Sequence, residues 1–158
     1  MKKHLLLILV FINSLVTVQA QNIGWTAFGH LSDSLRAERR PVLVFIYADW
    51  CKYCRMQERI TFSSPDLVHR LNKSFYCLRL NAEERENRHF LGRSYHYEPS
   101  GTGTGQHQLA GLLGKQQGTL TLPTTVLLSS DLQIVARLPG FLERASLEAV
   151  LREWLPEE

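Results

Sequence analysis

Two cysteines, Cys51 and Cys54, are separated only by Lys52 and Tyr53, and Trp50 precedes them. Such a pair can exchange thiol for disulfide, supply half of a metal site, or form a plain structural disulfide. A structural zinc site needs four ligands, and the chain has no second Cys-x-x-Cys and no His-x-x-x-His. The local context favours exchange. The apolar run 42–47 leads into the pair, and the polar, helix-favouring run 55–59 leads out. A helix N-terminus carries unpaired N–H groups and partial positive charge, which stabilise a thiolate, the reactive form of cysteine. Cys51, at the helix mouth, is therefore expected to be the exposed nucleophile. Cys54, one turn inside, is expected to be the shielded, resolving thiol. Lys52 adds positive charge that should lower the pKa of Cys51, and Tyr53 could contact partners. This chemistry needs no separate cofactor.

The elements that would hold the pair can be read around it. A first helix is expected from Trp25 to Glu38, capped by Thr26, with Phe28, Leu31 and Leu35 on one face. Val42 to Tyr47 is continuous and apolar, as in a strand buried on both faces. The helix after the cysteines runs to about Ile60. A second starts at Ser64-Pro65, with Leu67, Val68 and Leu71 as its stripe. Phe75 to Leu80 reads as a strand. Asn81 to Asn87 is charged, Phe90 to Tyr97 carries spaced aromatics, and Pro99 to Gly105 reads as a loop. That glycine-rich stretch is neither a P-loop nor a dinucleotide motif, because Gly-Lys-Ser/Thr and the G-x-G-x-x-G spacing are both missing. Gln106 to Leu113 reads as a short helix ending at Gly114. Val126 to Leu128 and Leu132 to Leu138 read as paired strands, and Leu142 to Leu155 as a final helix with Leu147, Val150, Leu151 and Trp154 on its stripe. A parallel βαβ start and a hairpin end give an α/β fold, with a central mixed sheet flanked by helices on both faces.

The first 20 residues read as a cleaved signal peptide: Lys2 and Lys3, an apolar stretch from Leu5 to Val18, and Val18-Gln19-Ala20 at the cleavage site. The expected mature chain, 21–158, is then one domain in a disulfide-permissive compartment. The formal net charge is only +3, and the leader carries two of those charges. Neither nucleic acid nor an anionic membrane surface is an electrostatic match. His69, His89, His96 and His107 show no ligand spacing; His107 stands out only for its place beside the glycine-rich stretch. Cys77, the third cysteine, sits within an apolar strand and reads as a buried thiol.

These motifs resemble the thioredoxin superfamily. The likeness rests on the strand-to-Trp50-Cys51-Lys52-Tyr53-Cys54 junction, on Thr121-Leu122-Pro123-Thr124, and on Pro139-Gly140-Phe141 before the last helix. Within the superfamily the chain bears a closer resemblance to the C-terminal domain of the DsbD membrane reductases. Tyr47-Ala48-Asp49-Trp50-Cys51, Cys54, Glu58 and Thr61-Phe62-Ser63-x-Pro65 carry that likeness. It covers most of 40–155, apart from an insert at about 82–118. The resemblance implies a thioredoxin-like fold and a redox-active Cys51–Cys54 disulfide. It implies a cis Leu122–Pro123 bond facing that disulfide, and Trp50 either packed beside it or in the core. It further implies protein disulfides as substrates and an upstream electron-donor thiol protein, which could be membrane-bound, with the chain exported, and periplasmic in a Gram-negative bacterium. Reduction is the implied direction. Oxidase or isomerase chemistry would use the same residues, and a copper-binding chaperone or an idle scaffold would use the same surface. One departure stands out: where the family has a buried Asp beneath the second cysteine, this chain has Phe45. Glu58 could be a solvated helix residue or a substitute proton acceptor. Asp49 reads as a surface residue beside the site.

Overall fold

The computed structural model describes residues 22–154. The expected signal peptide, residues 1–20, lies outside them, as does Leu155. A four-stranded sheet forms the centre. Its strands are β1 (Val42–Tyr47), β2 (Tyr76–Asn81), β7 (Thr124–Leu128) and β8 (Ile134–Pro139), in the order β2-β1-β7-β8. β1 runs parallel to β2 and antiparallel to β7, which is antiparallel to β8. The sheet is therefore mixed, as the pattern of elements implied.

β1 is buried on both faces because its side chains alternate between two cores. Leu43 and Phe45 join one apolar cluster with Cys51, Cys54, Leu67, Leu71, Leu147 and Leu151. Val42, Val44 and Ile46 join the other, with Leu31, Leu109 and Leu113. The first cluster lies under α2 (Lys52–Ile60), α3 (Pro65–Ser74) and α5 (Arg144–Arg152). The second lies under α1 (Leu31–Ala37) and α4 (Gln108–Gly114). Each fully buried Val, Leu or Ile stabilises the fold by about 1.5–3 kcal/mol relative to exposure, so β1, with five fully buried residues in a row, fixes the sheet at its centre.

Four expectations shift, each for a local reason. The first helix does not begin at Trp25. Trp25 forms a parallel bridge with Cys77, and the Thr26 N–H donates to the Cys77 carbonyl at 2.7 Å. Thr26 therefore extends the sheet instead of capping a helix, which starts as a 3-10 turn at Phe28–His30. The last helix does not begin at Leu142, because both backbone polar groups of Leu142 are held by α2 and its C-cap: its N–H donates to Gln57 Oε1 and its carbonyl accepts from Thr61 Oγ1. That helix ends before Trp154, which is partly exposed. Leu132 belongs to a turn with φ +62°, so β8 starts only at Ile134.

The fourth shift is the largest. Pro99 to Gly105 is not a loop but most of a hairpin, β5 (Tyr97–Gly101) against β6 (Thr104–His107), turning at Thr102-Gly103. A smaller hairpin, β3 (Arg88–Phe90) against β4 (Arg93–Tyr95), precedes it. Its turn residues Leu91 and Gly92 both have positive φ, the conformation that tight two-residue hairpins require. Gly105 is needed for close approach: a Cβ there would lie 2.3 Å from the Tyr97 ring and 2.5 Å from the Glu98 carbonyl oxygen. Because 104–107 are strand, α4 begins at Gln108 and not at Gln106. Its cap is His107, whose Nδ1 accepts from the Leu109 N–H.

Candidate active site: a disulfide at the mouth of α2

Cys51 and Cys54 form a disulfide, with Cα atoms 5.3 Å apart. Cys51 is the N-cap of α2, and its Sγ accepts the Cys54 backbone N–H at 3.1 Å. The cap places sulfur where a helix ordinarily places a serine or aspartate oxygen. In the reduced protein the same N–H and the helix dipole would favour a Cys51 thiolate. The expected contrast in exposure is not found. Cys51 is 3% exposed and Cys54 1%, because both sulfurs are turned into the cluster that contains Phe45, Leu67 and Leu147.

The residues around the pair are the exposed ones. Trp50 is 66% exposed, which excludes a core role. Its indole Nε1 donates to Glu83 Oε1 at 3.0 Å. Asn81 braces this corner from both sides: its Nδ2 donates to Asp49 Oδ2, and its Oδ1 accepts from the Glu83 N–H. Tyr53 is also exposed, and the Lys52 ammonium lies 5.4 Å from the centre of its ring. The Leu122–Pro123 peptide bond is cis. Leu122 packs against the cluster that holds both cysteines, and the Pro123 carbonyl accepts from the Gly140 N–H at 2.7 Å.

Beneath the pair, Phe45 is fully buried, with ring contacts to Trp25, Tyr47 and Phe62 at 5.0–6.3 Å. The face that could hold a buried carboxylate is thus aromatic. Glu58 does not replace that carboxylate at the same place. Its Oε1 accepts from Arg79 Nη2 at 2.9 Å, on the β2 side, with the Arg79 guanidinium over the Tyr47 ring.

The sequence reading missed Gln57, which is fully buried. Its Nε2 donates to Thr125 Oγ1 and its Oε1 accepts from the Leu142 N–H. Thr125 stands directly opposite Phe45 in the β1–β7 ladder. One side chain therefore ties the cysteine helix to the strand after Pro123 and to the entry of α5. A signal was present: Cys54, Gln57 and Thr61 recur at i, i+3 and i+7, so Gln57 lies on the inner face of the helix.

Cys77 lies within β2 as a free, buried thiol, and burial pushes its pKa up to about 12. It stays protonated and unreactive, as a cysteine in apolar surroundings should. His107 is buried at the end of β6, and desolvation is the largest influence on it, lowering its pKa below 6.5.

Comparison with known proteins agrees with this geometry. A thioredoxin-like domain profile matches residues 30–154. The thiol:disulfide interchange protein DsbD of Klebsiella pneumoniae is 30% identical over 121 residues, 75% of this chain and 17% of that protein. The DsbD of Pectobacterium atrosepticum is 29% identical over 128 residues, 80% of this chain and 18% of that one. The chain thus spans less than a fifth of the length of these curated relatives. Among solved structures, a DsbH oxidoreductase aligns with a TM-score of 0.58 at 15% identity, covering 91% of this chain and 92% of that one. The C-terminal domain of Neisseria meningitidis DsbD, reduced form, aligns at 0.53 and 17% identity, covering 80% and 92%. The chain belongs to the thioredoxin-like domain family. Within that family's fold the chain carries a Cys-x-x-Cys disulfide at the mouth of a helix.

Proposed function

We propose that the chain is exported and reduces protein disulfides through Cys51 and Cys54. The Cys51 thiolate attacks one sulfur of a substrate disulfide. That S–S bond breaks, the departing substrate sulfur takes up a proton, and a Cys51–substrate mixed disulfide forms. Cys54 loses its proton and attacks Cys51 Sγ. The second substrate sulfur leaves and is protonated, and the Cys51–Cys54 disulfide keeps the two-electron oxidation. An upstream dithiol protein reduces it again. The observation that carries this reading is the position of Cys51 Sγ, capping α2 while bonded to Cys54.

The remaining site residues take supporting parts. The helix dipole and Lys52 favour the thiolate. Trp50 and Tyr53 are exposed beside it for partner contact, and Leu122 with Pro123 borders the site. The Arg79 pairing favours a structural role for Glu58 over proton transfer. The direction rests on the resemblance of the motifs to the C-terminal domain of the DsbD membrane reductases, and export rests on the apolar stretch of the first 20 residues.

The test is a Cys54→Ala trap. The variant should capture partners as mixed disulfides that disappear on reduction, while a Cys51→Ala control captures none. Equal capture by the two would sink the exchange mechanism. The redox potential then fixes the direction: a value near about −270 mV supports a reductase, one near about −120 mV an oxidase.

A further inference from the structure

An open groove of about 430 Å³ runs between the β5–β6 hairpin, the end of β2 and the segment leading to Pro123. Among its walls are Glu83, Glu98, Gln106, Lys115, Leu120 and Leu122. Two of these connect it to the disulfide: Glu83 holds the indole of Trp50, next to Cys51, and Leu122 packs against the cluster containing both cysteines.

Several of its polar groups are left without a full complement of partners. Among the described residues, neither Glu83 nor Glu98 has a cation within ion-pair reach. Their hydrogen-bond donors are neutral, Trp50 Nε1 at 3.0 Å and Gln108 Nε2 at 2.7 Å. The groove therefore presents two carboxylates against one ammonium, that of Lys115. Gln106 also lines the groove, with its Nε2 sealed from solvent and without an acceptor.

Resting on the exchange reading above, we propose that this groove seats the extended substrate chain beside its reacting cysteine and prefers a chain with Lys or Arg next to that cysteine. The basic side chain meets Glu98 and Glu83. Leu120 and Leu122 supply the apolar wall. An acidic segment would bring like charges together in the same place, which is a means of rejection as well as selection.

The test uses the full chain carrying Cys54→Ala and two disulfide-linked peptide dimers that differ only in having Arg or Glu on either side of the cysteine. The rate of mixed-disulfide formation with each is divided by its rate with 2-mercaptoethanol, which removes the effect of the flanks on the peptide sulfur itself. The normalised Arg/Glu ratio should be about fivefold at low salt and should shrink as salt is added. Glu98→Lys should invert it. Equal normalised rates, or a ratio that Glu98→Lys does not move, would overturn the groove alone. Adduct formation with neither peptide would overturn the exchange reading and the groove with it.

Discussion

Two regions meet at the Trp50–Glu83 hydrogen bond, and they are held together by opposite means. The seat of the disulfide is apolar. Phe45, Leu67, Leu71, Leu147 and Leu151 surround the sulfurs, with Gln57 as a buried polar tie. The 82–107 stretch is polar and largely local, apart from Phe90, which is buried against Phe28. Arg88 pairs with Glu84 through both Nε and Nη2. Gln108 donates to Glu98, and His107 is fixed by its backbone N–H to the Ala82 carbonyl and by its ring to the Leu109 N–H. Close packing over many elements makes the first region a single unit with the sheet. Short exposed strands joined by charge-assisted and capping bonds make the second a unit that can open alone. The lesson is that the disulfide seat is fixed by apolar packing across the sheet, while the hairpins beside it are fixed by bonds of their own.

The contrast can be broken most directly at Phe45. Phe45→Ala should cost about 3–5 kcal/mol in denaturant unfolding; a loss below about 1 kcal/mol would mean that the seat does not depend on its aromatic packing. Next comes Gln57→Leu, which leaves Thr125 Oγ1 and the Leu142 N–H without their partner. A loss of about 1–3 kcal/mol is expected, with faster amide exchange at Leu142 as its local mark. If exchange there does not change, the tie is not the one described.

The other side of the comparison is sharpened by pH. The folded-state pKa of His107 is lowered, chiefly by desolvation, so between its folded and unfolded values the unfolded state binds more protons. Its contribution to stability is full above about pH 6.5 and is lost as pH falls through the folded-state pKa. Amide protection factors across 82–107, which remove the intrinsic pH dependence of exchange, should therefore fall on acidification before those of β1 do. A uniform fall over both regions would join what is here divided. The smallest effect is expected at Glu58, whose ion pair with Arg79 is partly exposed. Glu58→Gln should cost no more than about 1 kcal/mol and leave the pH profile of Cys54 attack where it was; a displaced profile would restore Glu58 as proton acceptor.

Legibility followed the range of the forces. β1, α3 and the cysteine junction were visible because burial pattern, proline position and motif spacing are local. Thr26 was misread as a cap because its bond to Cys77 crosses 51 residues. Leu142 was misread as helical because its backbone is claimed from α2 and its C-cap, more than 80 residues away. The 97–107 hairpin hid behind glycine-rich composition, which looks the same in a loop and in a tight hairpin until Tyr97 is paired with His107.

By itself the sequence determined the redox pair, the helix that activates it and the mixed sheet beneath, since each depends on neighbours within a turn or a strand. It also set Phe45 within the apolar run that leads into the pair. Tertiary structure alone decided what surrounds Phe45: a seat tied by Gln57 and Thr125, with Glu58 turned to Arg79. It alone placed both cysteines under cover and built, beside Trp50, a groove whose two carboxylates meet only neutral donors among the described residues. Contacts between residues far apart in the chain settle such matters, and no local spacing records them.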